Sequence, residues 1–216
     1  QNASIVDGTG VPAYQGSVGI REGKLTLDVD NQPARETIDA AGRVLAPGFI
    51  DAHSHGDLIL GEEFARLCKT SQGVTTEIGG QFGLSIAPVN PQRLELLQGQ
   101  LAVGALSFPE EMAGFTSFQS YCSYADRVPK TANMAMYIGH STLRIAVMGF
   151  DNREPTRDEL EQMKALLREA MDHGAMGLST GLIYTPCCYA KTEEIVELAK
   201  VIRPYGGIYA SHMRNE

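Results

Sequence analysis

The rhythm of the chain changes at Pro47-Gly48, and that change constrains the fold more than any other feature. Before it, short alternating runs lie between turn signals. The runs are Ser4-Ile5-Val6, Ser17-Val18-Gly19-Ile20, Lys24-Leu25-Thr26-Leu27-Asp28-Val29 and Glu36-Thr37-Ile38. The turns are Asp7-Gly8-Thr9-Gly10, Glu22-Gly23 and Ala41-Gly42. This texture predicts small antiparallel strands. After Pro47-Gly48, short continuous apolar runs alternate with helical patterns, as in a parallel sheet whose strands are buried on both faces. Residues 1–47 are therefore expected to form a small β-rich subdomain, a β-sandwich, and residues 48–216 a domain of βα repeats.

The repeat can be followed to the last residue. An apolar run from Leu45 to Ile50 predicts a buried strand running on to His53. A helix over Leu58–Gln72, closed by Gly73, and a strand over Val74–Gly79 follow. Helices are expected near Pro91–Val103 and Ser117–Arg127, then a strand over Ala132–Gly139 that Thr142–Met148 extends. Thr156-Arg157-Asp158-Glu159 is a capping box. Beyond it Leu160, Met163, Leu166, Leu167, Ala170 and Met171 recur at helical spacing up to Gly174. Strand Ala175–Thr180, helix Thr192–Arg203 and strand Gly207–His212 complete the series. A full (β/α)₈ barrel takes about 250 residues. The 216 residues here, less the first subdomain, accommodate its N-terminal part, about five strands. The chain is thus expected to be a fragment, or one half of a split protein.

Composition narrows the partners. A formal net charge of -8 argues against nucleic acid or an anionic membrane surface. No apolar run approaches the roughly 18 residues that span a bilayer, and the polar start at Gln1-Asn2 does not read as a secretory signal. Cys68, Cys122, Cys187 and Cys188 follow no zinc-finger or disulfide spacing. They suit a reducing cytoplasm, the expected location.

The chemistry gathers at predicted strand ends. His53 and His55 follow the first strand at i and i+2, so both imidazoles face one space, at the edge where parallel α/β folds place their sites. Two convergent imidazoles suit a divalent metal; two surface histidines on a turn are the alternative. His212 closes the fifth strand at the same edge and reads as a third ligand, against a structural histidine. Arg214 beyond it is placed to meet a substrate carboxylate or to pair on the surface. His140 ends the third strand as a pocket donor or a structural residue. The Gly79-Gly80-Gln81-Phe82-Gly83 loop has glycines for an anion but no Lys-Ser/Thr of a P-loop. Glu77 is either a pocket carboxylate or the partner of an internal Arg or Lys.

Five blocks together resemble the N-acyl-D-amino-acid deacylases (D-aminoacylases) of the amidohydrolase superfamily. They are Pro47–His55, Gly73-Val74-Thr75-Thr76, Gly139–Arg144, Gly177–Tyr184 and His212–Glu216. The resemblance implies a zinc-dependent hydrolase on a (β/α)₈ barrel, using one or two Zn²⁺ and acting on a small-molecule N-acyl-D-amino acid. It implies His53 and His55 as the strand-one metal pair, His212 as the strand-five ligand of the tightly held zinc, and Tyr184 as a wall of the side-chain pocket. The sequence departs from the family at Phe82, where relatives carry a cysteine metal ligand. The family's further histidine ligand and catalytic aspartate lie beyond Glu216, so no catalytic residue is expected within this chain.

The leading expectation is hydrolysis of an N-acyl-D-amino acid to a carboxylate and a free D-amino acid. The alternatives are another amidohydrolase (a cyclic amidase or dipeptidase) and a catalytically impaired barrel acting as a binding or structural subunit. Exposed apolar faces on strands one and five predict a second polypeptide carrying the rest of the barrel, or a homo-oligomer.

Overall fold

A computed structural model describes residues 1–29, 33–60, 62–102 and 108–215, excluding the side chains of Ala65 and Arg66. The chain divides into two compact units, Gln1–Gly48 and Phe49–Glu216. In the first, β1 (Ala3–Ile5) pairs antiparallel with β2 (Tyr14–Gly16) and parallel with β5 (Val44–Leu45). Strands β3 (Gly19–Arg21) and β4 (Lys24–Thr26) form a separate hairpin. Leu45 therefore belongs to the small sheet and not to the first barrel strand, because Pro47 has no N–H for a ladder and interrupts the apolar run. Glu36–Ile38 is not a strand.

The second unit is built on five strands. They are β6 (Phe49–Asp51), β7 (Val74–Gly79), β8 (Asn133–Gly139), β9 (Gly177–Gly181) and β10 (Ile208–His212). All neighbouring pairs are parallel and their order follows the sequence without reversal. A doubly wound sheet would reverse its order partway. This sheet keeps turning one way, as the first five strands of a (β/α)₈ barrel do.

The helices are α1 (Glu63–Thr70), α2 (Leu94–Leu101), α3 (Phe118–Ala125), α4 (His140–Met148), α5 (Arg157–Asp172) and α6 (Thr192–Ile202). Helix α5 starts where predicted, with Thr156 and Glu159 satisfying each other's backbone N–H groups. It buries Met163, Leu167, Ala170 and Met171, while Leu160 and Leu166 pack at the core's margin. The core continues through Leu97, Leu101, Leu143, Leu178, Leu198 and Ile202, between helices and sheet. The second helix was expected to reach Val103, which lies outside the described residues. Among those residues no helix is long and apolar enough to cross a membrane.

Two expectations are corrected. Thr142–Met148 is not a strand extension but most of α4, so His140 opens a helix rather than ending a strand. Every residue of α4 except Val147 is buried, which erases the one-sided polar stripe by which a helix is usually read. The first and fifth strands are also not buried. Phe49 and Ile50 are 64% and 66% exposed, and Ile208 and Tyr209 are 50% and 41% exposed. They form the two edges of an open sheet, whereas every residue of the interior strand β9 is buried.

Candidate metal centre

The C-terminal ends of these strands carry the candidate site. Beyond β6, the backbone N–H of His53 donates to Asp51 Oδ1 at 3.2 Å and that of Ser54 to the Ile78 carbonyl at 3.0 Å. Lys69 of α1 ties the turn from below, with Nζ 2.5 Å from Asp51 Oδ2, 2.9 Å from Ser54 Oγ and 3.0 Å from Glu77 Oε2. Glu77 is thus the partner of an internal lysine and not a free pocket carboxylate. The hydrogen bond from Lys69 holds Asp51 below its ordinary carboxylate value. This cluster fixes the backbone that launches both histidines.

His53 is exposed and His55 half-buried, with ring centres 5.9 Å apart. A zinc about 2.1 Å from a ring nitrogen lies about 3.2 Å from that ring's centre. At the tetrahedral angle two imidazoles sharing one ion stand about 5.2 Å apart, so this pair needs a modest closing of the rings to hold one. Buried Nδ1 of His55 has no hydrogen-bond partner among the described residues, a donor left for a ligand. Burial, then the neighbouring His53 and Lys69, hold His55 below its ordinary pKa, which keeps the imidazole neutral as ligation requires. With that closing, the pair fits one divalent ion.

Phe82 stands at the middle of the site. Its ring centre lies 4.5 Å from that of His53, 5.4 Å from His55, 5.0 Å from His212 and 5.9 Å from Tyr184. The structure thus gathers all three predicted imidazoles and Tyr184 around one apolar ring. Among the described residues no group of three or more His, Cys, Asp or Glu side chains converges as a metal site. Phe82 packs against each member of the expected His53, His55 and His212 set.

The Phe82 backbone is held rigidly in a left-handed conformation, φ +58°. Gly83 N–H donates to Ser179 Oγ at 3.0 Å, Ser179 Oγ donates to the Gly80 carbonyl, and Gln81 Nε2 donates to the Ala52 carbonyl at 3.0 Å. A β-carbon on Gly80, itself at φ +69°, would overlap the Tyr137 carbonyl. The loop's glycines serve close backbone packing rather than an anion cradle. Beneath them, fully buried Asp57 accepts from Gly80 N–H at 3.2 Å, and burial raises its pKa to about 7.

Tyr184 is 40% exposed, its ring centre 5.2 Å from that of His212. Arg214 donates to the Cys188 and Ala190 carbonyls at 3.1 and 2.9 Å, so two of its five N–H donors hold the β9–α6 loop. His212 Nδ1 lies 3.1 Å from the Met213 carbonyl. Glu216 lies outside the described residues.

Sequence reasoning missed a buried charge cluster behind this wall. His140 Nδ1 lies 2.9 Å from Cys187 Sγ, and its Nε2 lies 2.8 Å from Glu194 Oε1. Arg144 donates to both Glu194 oxygens at 2.8 and 2.6 Å and to the Asp151 and Arg153 carbonyls at 3.2 and 2.8 Å. His140, Arg144 and Cys187 are fully buried. Burial alone would depress His140, but Cys187 and Glu194 outweigh it and raise its pKa to about 9. Burial likewise opposes ionisation of Cys187, and the imidazolium overrides it, leaving the thiol below its ordinary value.

The two linkages run in opposite directions. The His140 contribution to stability is complete below 6.5, its ordinary value, and is lost as pH rises through about 9. That of Cys187 is complete above 9.0, its ordinary value, and is lost as pH falls through the lowered native value. A proton moved from thiol to imidazole changes no net count, so the cluster adds little slope between these limits. Cys187→Ser removes one side of this balance. Cys187 is foremost among the groups that raise His140, so the variant's imidazole is expected to titrate below the wild-type value of about 9 when the two are compared by histidine NMR across pH. Coincident titration curves would rule out the ion pair.

Comparison with known proteins supplies the family. The amidohydrolase family model matches residues 36–203. The chain is 39% identical to N-acyl-D-aspartate deacylase and 37% identical to D-aminoacylase, both of Alcaligenes xylosoxydans xylosoxydans. Each alignment covers 99% of this chain, but 42% and 43% of those proteins. Among solved structures, D-aminoacylase superposes with a TM-score of 0.82 at 40% identity, over 98% of this chain and 44% of that one. N-acyl-D-glutamate deacylase from Bordetella bronchiseptica, complexed with zinc and a phosphonate mimic of the tetrahedral intermediate, gives 0.86 at 35% identity. That match covers 100% of this chain and 44% of the other. The chain thus spans less than half the length of the relatives it matches. It belongs to the amidohydrolase family, on the branch of the N-acyl-D-amino-acid deacylases.

Proposed function

We propose that the protein to which this chain belongs hydrolyses the amide bond of N-acyl-D-amino acids, giving a carboxylate and a free D-amino acid. The observation that carries this reading is likeness over nearly the whole chain to deacylases of D-aspartate, D-glutamate and D-amino-acid substrates. The His53–His55 pair at the active edge, with an unpartnered buried nitrogen, supports it. Zinc, when bound, supplies Lewis acidity and a water of lowered pKa.

The chain's own residues do the rest of its share. His53 and His55 hold the ion, and the Asp51–Lys69–Glu77 cluster fixes their backbone. Tyr184 forms a wall for the substrate side chain, and Phe82 packs between it and the imidazoles. Arg214 offers the substrate carboxylate the N–H donors that the loop leaves unused. The proton-transferring aspartate and a further histidine are expected from the later strands. The exposed edges β6 and β10 support their completion by further polypeptide, either a second chain carrying the later strands or a second copy. Four free cysteines support a cytoplasmic location.

A barrel that binds without turnover is the second reading, favoured by Phe82 among the imidazoles. Zinc-loaded protein is expected to release amino acid from N-acetyl-D-amino acids at least about 100-fold faster than from the L-enantiomers, a gap of about 2.7 kcal/mol. Chelation is expected to abolish release. Stoichiometric zinc without turnover would establish the second reading instead.

A further inference from the structure

We infer that the metal centre of this protein is mononuclear: one divalent cation sits between His53 and His55, and the Phe82 ring closes the position between that pair and His212. The inference rests on the hydrolase reading and concerns which of its side chains hold metal.

Three observations carry it. The His53–His55 spacing of 5.9 Å accommodates one shared ion after a modest closing of the rings, and the buried Nδ1 of His55 lacks any other partner among the described residues. The Phe82 ring centre lies 4.5 to 5.4 Å from all three imidazoles, ordinary van der Waals separation for aromatic pairs. At these separations the Phe82 ring is in contact with each imidazole, and a phenyl group offers no lone pair to a metal. The ring also cannot readily swing aside as a loop. Its backbone is pinned through Gly80, Gly83 and Ser179, and the Phe82 carbonyl packs where Gly181 lacks a side chain.

Phe82 adopts its φ of +58° although it is not glycine. Such a residue carries backbone strain, and strain of this kind concentrates at functional sites. His212 is consequently assigned to the rim, where it packs on Phe82 and Tyr184 and orients the wall, rather than to the ion.

The test is metal content and cobalt spectroscopy on the purified protein, stripped with chelator and reloaded with Co²⁺. Wild type and His212→Ala are expected to bind one equivalent per chain, and His55→Ala to lose it. Phe82→Cys is expected to gain a second equivalent together with thiolate-to-cobalt charge transfer in the near ultraviolet. Phe82→Ser, which opens the space without a thiolate, controls for misfolding and is expected to lack that band. Two equivalents on wild type, metal lost on His212→Ala but kept on His55→Ala, or a folded Phe82→Cys without the band would each overturn the inference. Two equivalents with D-selective turnover would leave the hydrolase reading standing. No metal on any folded form would sink both.

Discussion

Arg144→Ala is expected to destabilise the protein by about 3–5 kcal/mol, the usual cost of leaving one member of a buried ion pair behind. Its guanidinium is fully buried and binds both oxygens of Glu194. Removing it leaves Glu194 facing His140 alone and strips a donor from the Asp151 and Arg153 carbonyls. The cost arises mainly from a buried carboxylate stripped of its two-oxygen partner, so pairing Arg144→Met with Glu194→Met should recover part of it. Urea titrations of the two single variants and the double variant measure this coupling. A loss below about 1 kcal/mol for Arg144→Ala would show that the cluster is not the buried network described.

Gly80→Ala is the second large effect, at about 3 kcal/mol or more. The new β-carbon meets the Tyr137 carbonyl at a φ of +69°, where an L side chain is already strained. Relief requires β7 and β8 to separate at their C-terminal ends, or the Gln81–Gly83 segment to move. Either response displaces the Phe82 ring. The variant is therefore expected to lose both thermal stability and the close aromatic packing around His53 and His55. Near-ultraviolet circular dichroism and melting temperature report the two effects together. Gly99→Ala provides the comparison, since a β-carbon there meets nothing within 4 Å.

Much of this architecture was legible in the residues. Val74–Gly79 is a strand with the predicted bounds, because β-branched Val74, Thr75, Thr76 and Ile78 between glycines favour extended backbone. The Thr156 capping box and the period of Met163, Leu167 and Ala170 located α5, whose one-sided burial is what periodicity measures. Helix α4 was illegible because burial on all sides removes that period. The open edges at Phe49 and Ile208 agree with the exposed faces expected of strands one and five, although an apolar run alone reports a tendency to be covered, not what covers it.

The site divides along the same line. His53, His55 and His212 could be placed at one edge because the first two follow β6 and the third ends β10, and the sheet brings strand ends together. Phe82 was visible as an apolar residue in a glycine-rich loop, but its contact with three imidazoles is a tertiary fact. The cluster of His140, Arg144, Cys187 and Glu194 left no local signal. Its members join through the α4, α6 and β9–α6 segments, and Glu194 reads locally as a helix-start carboxylate.

We propose that this chain carries the metal-holding edge of an N-acyl-D-amino-acid hydrolase. The most direct test is release of free amino acid from paired N-acetyl-D- and N-acetyl-L-amino acids by the zinc-loaded protein. D-selective turnover that disappears on chelation and returns with zinc is the predicted result. Turnover without preference for the D-enantiomer, or turnover indifferent to zinc, would contradict it.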